Sequence, residues 1–278
     1  MRQAFITLTS DFGEKDHFVG AVKGAIYSEL ETAKIVDISH AIPPFHISEA
    51  AYIIQNAYKN FPSGSIHIIG IDSELTPDNK HIAVLLDDHY FICANNGIIS
   101  MLTSEINPTK IVEINVHDNI ESNFPVLDVF VKVACHIARG GTLDVIGKPI
   151  SEIKQLTGIM PVINKLENQI VGNVTYIDNY GNVICNINKQ LFQKIGKGRK
   201  FTIHARMVKF TEIHSRYSNA IDFNLPKNKR EEDGKKIALW NSSNYLELAI
   251  YKSNPKTVGS SSTLFGLNYR DTISINFE

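Results

Sequence analysis

Two hydrophobic periodicities divide this 278-residue chain, and the change from one to the other near residues 150–165 constrains the fold more than any single motif. Before it, short β-rich runs alternate with amphipathic ones. The strand-like runs are Ala4–Leu8, Lys34–Ile38, Ser65–Ile71, His81–Leu86, Tyr90–Ala94 and Lys110–Asn115. The helix-like runs are Asp16–Leu30, Ser48–Phe61, Asn96–Ser104 and Val126–Arg139. This alternation predicts an α/β domain over residues 1–160, with a largely parallel sheet covered on both faces. Ser48, at the head of an apolar-periodic run, reads as a helix N-cap. After Gly158-Ile159-Met160-Pro161 the strand-like runs follow one another: Gln169–Tyr176, Asn182–Ile187, Arg199–His204, Ile237–Trp240, Tyr245–Ile250 and Thr272–Phe277. Only Lys189–Ile195 has a helical pattern there, so a second, mostly β domain is expected over residues 163–278. The charged stretch Pro226–Lys236 reads as a solvated surface loop.

Charge narrows the partners. With 28 basic and 29 acidic residues the net charge is -1, which argues against a nucleic-acid partner, since such proteins concentrate a basic excess on one face. Hydrophobic content of 43% fits a globular protein with a real core. No apolar run reaches the length of a membrane span, and the opening MRQAFITLTSDFG lacks a signal peptide's apolar run and cleavage site. The expectation is a cytoplasmic protein without a membrane partner. Cys93, Cys135 and Cys185 lie far apart in apolar segments and read as small buried hydrophobes in a reducing compartment. No spacing suggests zinc.

Open α/β sheets bind ligands beyond the carboxyl ends of their strands, so polar residues directly after a strand carry the most information. Three such sets stand out: Ser10-Asp11-Phe12-Gly13, residues 37–45, and residues 72–79. A carboxylate there can accept both hydroxyls of a ribose, because a vicinal diol offers two donors in fixed geometry. Asp11 fits that role, lying too far outside the following helix to cap it. Asp16 fits it or a cap equally well. Asp11-Phe12-Gly13 spells a kinase motif, but only ten residues precede it, too few for a kinase's upstream loops. No GxGxxG or GxxxxGK[ST] loop is present. His40 and His46 are separated by Pro43 and Pro44, so they share no helical face and are not read as a metal pair.

The blocks SDFGEKDHFVGAVKGAI, VDISHAIPPFHISEAAYII and NFPSGSIHIIGID, followed by GNVTYIDNYGNVICNI, LWNSSNYLELAI and GLNYRDTISINF, resemble in order the SAM hydroxide adenosyltransferase family and the related fluorinase and chlorinase. The resemblance spans nearly the whole chain. It implies an α/β N-terminal domain joined to a smaller barrel-like β domain. It also implies a homotrimer that holds S-adenosyl-L-methionine (SAM) between the N-terminal domain of one subunit and the C-terminal domain of the next. Position by position, Asp11 matches the acid on the ribose hydroxyls, Asp16 a contact to the methionine end, and Phe45 an aromatic against the ligand. Asp178 matches the residue on the amino group, Tyr180 an aromatic on the adenine, and Asn182 an amide that reads its edge. Ser242 and Ser243 occupy the segment that receives the carboxylate. The stretch around Asp178–Asn182 is also rich in turn formers, and a turn can present such side chains.

The implied reaction is attack of water on C5′, which releases adenosine and methionine without a cofactor or a metal. Family hydrolases surround that water with an Asp, an Arg and a His. Asp72 matches the Asp. After it the family's Pro-Gly-Val-Gly-Thr and Arg give way to residues 73–80, SELTPDNK, where Lys80 is the nearest cation and a poor substitute for a planar guanidinium. Pro125 stands at the place of the His, with His81 and Glu74 as the remaining candidates to turn inward. The fluorinase's halide pocket has no counterpart. Two readings follow: a SAM hydrolase in which Asp72 is the catalytic residue and turnover is slow, or a non-catalytic SAM or adenosine binder acting as sensor or scaffold.

Overall fold

A computed structural model describes residues 5–103, 106–116, 122–156, 158–232 and 234–278. The chain forms two compact units, Met1–Gly158 and Ile159–Glu278.

In the first unit, elements β1 (Phe5–Ser10), α1 (Phe18–Glu29), β2 (Lys34–Ser39), α2 (Ile47–Ala57) and β3 (Ile66–Gly70) alternate as the sequence predicts. They are followed by β4 (His81–Leu86), β5 (His89–Ala94), α3 (Ile98–Leu102), β6 (Lys110–Ile114), α4 (Val131–Ala138) and β7 (Gly147–Pro149). One seven-stranded sheet runs in the order β2-β1-β3-β5-β4-β6-β7. The pairings β1–β2, β1–β3 and β3–β5 are parallel. Five of the seven strands (β1, β2, β3, β5, β6) point the same way, because β4 is antiparallel to both β5 and β6, and β7 is antiparallel to β6. The reversal at β4 comes from a tight hairpin. Asp87 and Asp88 both adopt positive φ (52° and 58°), the two-residue turn whose twist matches a β-hairpin. Every residue of β3 is buried, as expected where both faces of a sheet are covered. On one face Ile6, Leu8, Ile66 and Ile68 pack with Val22 and Ile26 of α1 and with Val133 and Ala134 of α4. On the other, Ile69, Ile71 and Phe91 pack with Ile54 of α2 and Ile98 of α3.

Two helix starts differ from expectation. His46, not Ser48, caps α2: its Nδ1 accepts the Glu49 N–H at 3.3 Å, because the chain turns into the helix directly after Phe45. Helix α1 opens behind His17 without a side-chain cap, so Asp16 does not cap it. The run Val126–Arg139 is not one uniform helix: Val126–Phe130 forms a π-turn before α4.

In the second unit the strands are β8 (Val162–Ile163), β9 (Gln169–Ile177), β10 (Val183–Asn188), β11 (Phe201–Ala205), β12 (Val208–Phe210), β13 (Lys236–Trp240), β14 (Tyr245–Ile250) and β15 (Thr272–Phe277). Helix α5 (Lys189–Gly196) follows β10, and a second short helix, α6 (Ser261–Leu264), goes beyond the sequence reading. The sheet order is β12-β11-β15-β9-β10-β14-β13, antiparallel throughout, with β8 on β9. Its edge strands approach one another where Lys236 Nζ donates to the Lys209 carbonyl at 2.9 Å, giving a nearly closed barrel. From Gln169 to Thr175 of β9 burial alternates residue by residue, as expected of strands with one face on a core. Val174, Val183, Cys185, Leu246, Leu248 and Ile275 fill the inside. Cys93, Cys135 and Cys185 are all free and buried, and burial raises each thiol above its ordinary range.

Candidate functional site

In the first unit the chain leaves β1 for β2 on one side and reaches β3 on the other. This is the topological switch point of a doubly wound sheet, where ligands collect. Register makes the strand ends level: Ser10 pairs with Gly70, and Thr9 with Ser39. Asp11 and Asp72 therefore emerge from neighbouring strands at the same edge. The charge of Asp72 reaches Asp11. Burial chiefly raises the Asp11 carboxyl above its usual range, the Phe45 and Asp11 backbone N–H groups oppose this, and Asp72 adds to the rise.

Asp11 has a second task. Its Oδ2 accepts the Phe45 N–H at 2.8 Å, which ties the loop after β2 to the end of β1. Phe45 sits at φ 63° and is 71% exposed, a costly conformation and location for a bulky apolar side chain. Asp72 is also left-handed, at φ 44°. Backbone strain of this kind concentrates where structure is held for function.

Two further hydrogen bonds tie the same two segments. Ser10 Oγ lies 2.7 Å from Nδ1 of His40, and the Gly13 N–H donates to the His40 carbonyl at 2.8 Å. His40 Nε2 stands 3.1 Å from Asp37 Oδ1, while Lys23 holds Oδ2. Burial pushes the Asp37 carboxyl up, but Lys23 and His40 prevail and lower it. His40 is thus a buried clamp and His46 a helix cap. Among the described residues no group of three or more His, Cys, Asp or Glu side chains could hold a metal ion.

The loop after Asp72 is braced from within. Asn79 donates from Nδ2 to the carbonyls of Asp72 (2.9 Å) and Glu74 (3.1 Å), and His81 Nε2 lies 2.9 Å from the Ser73 carbonyl. His81 also packs edge-on against Phe130. Its ring is engaged in holding the loop, and Glu74 and Lys80 are exposed. Pro125 precedes the π-turn and carries no base. Beside it Phe124 contacts the rings of Phe12 and Phe18, each at 5.3 Å. Phe12 lies so close over Gly70 that a Cβ there would meet its ring at 2.8 Å. A cavity of about 10 Å³ bordered by Ser10, Phe12, His40, Gly70 and Val126 has room for one water. Asp16 is exposed and makes no hydrogen bond among the described residues.

In the second unit the turn between β9 and β10 is built by Asp178. Its Oδ1 accepts the N–H groups of Tyr180 (2.9 Å) and Asn182 (2.8 Å), and its Oδ2 accepts Asn182 Nδ2 at 3.0 Å. Gly181 at φ 72° completes the turn, and a Cβ there would stand 2.2 Å from Ser260 Oγ. Ser261 Oγ and the Ser262 N–H both donate to its carbonyl, at 2.7 and 2.9 Å. Tyr180 is consequently presented outward, 65% exposed, while Asn182 is buried. The turn thus brings Asp178, Tyr180 and Asn182 together. Ser242 and Ser243 lie in the β13–β14 turn, where Asn241 Oδ1 accepts the N–H groups of Ser243 and Tyr245. Register separates the two turns: Val183 pairs with Leu248, and Trp240 with Leu246, so they flank opposite ends of β14. A cavity of about 460 Å³ in this unit, beside Phe192 and Arg199, is lined by none of the candidate residues.

Sequence reasoning gave His40 and Asn79 no structural role and passed over the Tyr217 hydroxyl's bond to the buried Glu247. Glu247 did leave a signal: a lone acid amid the apolar strand YLELAI.

Comparisons with known proteins follow the same division. The model of the SAM hydroxide adenosyltransferase N-terminal domain matches residues 6–147, and that of the C-terminal domain matches residues 172–274. The (R)-S-adenosyl-L-methionine hydrolase of Methanocaldococcus jannaschii is 29% identical over 280 residues, covering 97% of this chain and 95% of its own. The fluorinase of Actinopolyspora mzabensis is 23% identical over 278 residues, covering 88% and 89%. A crystal structure of an uncharacterized conserved protein from Thermotoga maritima shares the fold, with a TM-score of 0.82 at 23% identity over 98% of this chain and 100% of that one.

Proposed function

Because this chain belongs to the SAM hydroxide adenosyltransferase family, we propose that it binds SAM and hydrolyses it to adenosine and L-methionine. The observation that supports this most is the pair Asp11 and Asp72, side by side at the switch point and close enough for one charge to act on the other. In this reading Asp11 accepts the ribose hydroxyls and Asp72 accepts a hydrogen bond from the attacking water. The water oxygen bonds to C5′, the C5′–S bond breaks, its electron pair stays on sulfur as neutral methionine, and the proton lost from the water passes to bulk solvent. A sulfonium is already a good leaving group, so neither acid catalysis nor a cofactor beyond SAM is required. What the site must supply is alignment and removal of bulk water.

Asp16 contacts the methionine end and Phe45 lies against the ligand. Asp178 takes the amino group, Tyr180 and Asn182 the adenine, and Ser242 and Ser243 the carboxylate. The assembly is a homotrimer with each ligand between neighbouring subunits, and the location is cytoplasmic. Among the described residues no helix is long and apolar enough to cross a membrane. With Pro125 at the place of the family His and no Arg in residues 73–80, turnover is slow. Asp72→Asn tests the assignment. A group that acts only on the attacking water contributes to the transition state and not to ground-state binding, so turnover falls by about 100-fold or more while SAM affinity barely changes. Equal loss of both would remove Asp72 from the chemistry.

A further inference from the structure

One residue brackets Asp11. His40 directly follows β2 and reaches the end of β1 twice. Its Nδ1 stands 2.7 Å from Oγ of Ser10, and its carbonyl accepts the Gly13 N–H at 2.8 Å. In sequence, Asp11 sits between those two anchors. It adds a third bond of its own, accepting the Phe45 N–H at Oδ2. Three bonds therefore join residues 10–13 to residues 40–45, and two of the three belong to His40.

The side-chain contacts of His40 have a direction. Asp37 Oδ1 lies 3.1 Å from Nε2, and Lys23 holds the other oxygen. Burial raises the Asp37 carboxyl, but Lys23 and His40 more than offset the rise, so the group is ionised. A carboxylate only accepts, so the Nε2 facing it carries the proton, and in the neutral ring Nδ1 accepts the Ser10 hydroxyl. The Ser10 oxygen in turn accepts the Phe12 N–H at 3.4 Å. Donation thus runs one way, from Phe12 through Ser10 and His40 to Asp37. Ser10 and His40 are 3% and 5% exposed, and the wall around them is apolar: Leu8, Val22, Ile68 and Val126. For stability alone an apolar side chain would serve such a wall as well. What a fully bonded polar chain adds is a fixed orientation.

We infer that His40, oriented by Asp37, is a positioning residue for Asp11: through Ser10 and the Gly13 N–H it sets the angle at which the Asp11 carboxylate meets the ribose. The inference rests on the proposed function, because it takes Asp11 as the acceptor of the ribose hydroxyls. A vicinal diol presents two donors in fixed geometry, so both bonds form only with the carboxylate held to within about 0.5 Å and about 10–20°. The Asp11–Phe45 bond cannot hold it alone. Phe45 is at φ 63°, and without the His40 bonds that strained loop relaxes and carries Asp11 with it.

Two substitutions keep different halves of the ring. In His40→Asn the carboxamide lies where Nδ1 lies and keeps a partner for Ser10; in His40→Gln it lies where Nε2 lies and keeps one for Asp37. Calorimetry on the full chain with SAM and with adenosine is run beside thermal unfolding. The expected result is affinity for both ligands reduced about tenfold or more in His40→Gln and within about threefold of wild type in His40→Asn, at similar losses of stability. Equal affinities in the two variants overturn the inference, because a merely structural role does not distinguish which nitrogen is kept. A double-mutant cycle gives the second readout. Added to Asp11→Asn, His40→Gln should weaken binding by less than about twofold more, since a group that acts through Asp11 has nothing left to position. Additive losses overturn the inference. If either His40 variant does not fold, Ser10→Ala replaces the pair: the same loss of about tenfold is expected, vanishing in the Asp11→Asn background, and unchanged affinity or additive losses overturn the inference. In each of these failures wild-type binding of SAM leaves the proposed function standing. A wild type that binds neither SAM nor adenosine overturns both.

Discussion

Asp11→Asn separates the two tasks assigned to Asp11. The variant keeps a carbonyl oxygen that can accept the Phe45 N–H, now at 2.8 Å from Oδ2, so the loop holding Phe45 at φ 63° should survive and stability should change little. For the ribose the change is severe. The one amide oxygen is already engaged, and the NH₂ group faces two hydroxyl donors that need acceptors. Two hydrogen bonds to a charged group contribute roughly 3–6 kcal/mol gross, and because such terms are not additive the lower end is the working figure, about 100-fold in affinity. Asp11→Ala removes the Phe45 bond as well, so it should lose stability in addition to affinity. Calorimetry with SAM and with adenosine reads the first effect, and thermal unfolding the second. The pH dependence gives a further check with a definite sign. Only ionised Asp11 accepts both hydroxyls, and burial together with Asp72 raises its pKa, so affinity falls as pH drops through that raised value and is full above it. Asp72→Asn removes one of the raising charges and should move the fall to lower pH. Wild-type affinity in Asp11→Asn, or a stability loss equal to that of Asp11→Ala, would refute the reasoning.

Other expectations follow from the same contacts. Gly181→Ala should destabilise the protein by at least about 1–2 kcal/mol in urea unfolding, because φ 72° is unfavourable for a Cβ that would also stand 2.2 Å from Ser260. The buried chain Thr7–His67–His89 should make the protein acid-labile: burial first, then His89, lower the His67 pKa from 6.5 to about 3. Its neutral form is therefore required in the fold, stability is full above 6.5 and is lost as pH falls toward 3, by up to about 1.4 kcal/mol per pH unit, and His67→Gln should flatten that slope. Light scattering at micromolar concentration should give the mass of three chains; a monomer that still binds SAM would contradict the intersubunit site.

The sequence made some features legible and hid others for physical reasons. Periodicity located β1, β2, β3 and their helices because each has its own apolar pattern. It could not show that β4 turns back, since that depends on Asp87 and Asp88 adopting positive φ. Ser48 looked like a cap because it is a good capping type, but Asp11's hold on Phe45 sets the helix start two residues earlier, at His46. Asp11 and Asp72 could be read as candidates because each directly follows an apolar strand. The bracing by Asn79, the His40 clamp and the Tyr217–Glu247 bond depend on partners 7, 30 and 30 positions away, and so appear only once the fold is known. The short pieces β7, β8 and β12 have two or three residues each, too few to show a period.

The central claim is that this chain cleaves SAM with water, and product analysis in ¹⁸O-labelled water tests it most directly. Purified protein incubated with SAM should yield adenosine and methionine in equal amounts, slowly, with the label in the adenosine 5′-hydroxyl and a rate lower by about 100-fold or more from Asp72→Asn. Calorimetric binding of SAM with no adenosine formed by the wild type would contradict hydrolysis and leave a SAM-binding protein without turnover.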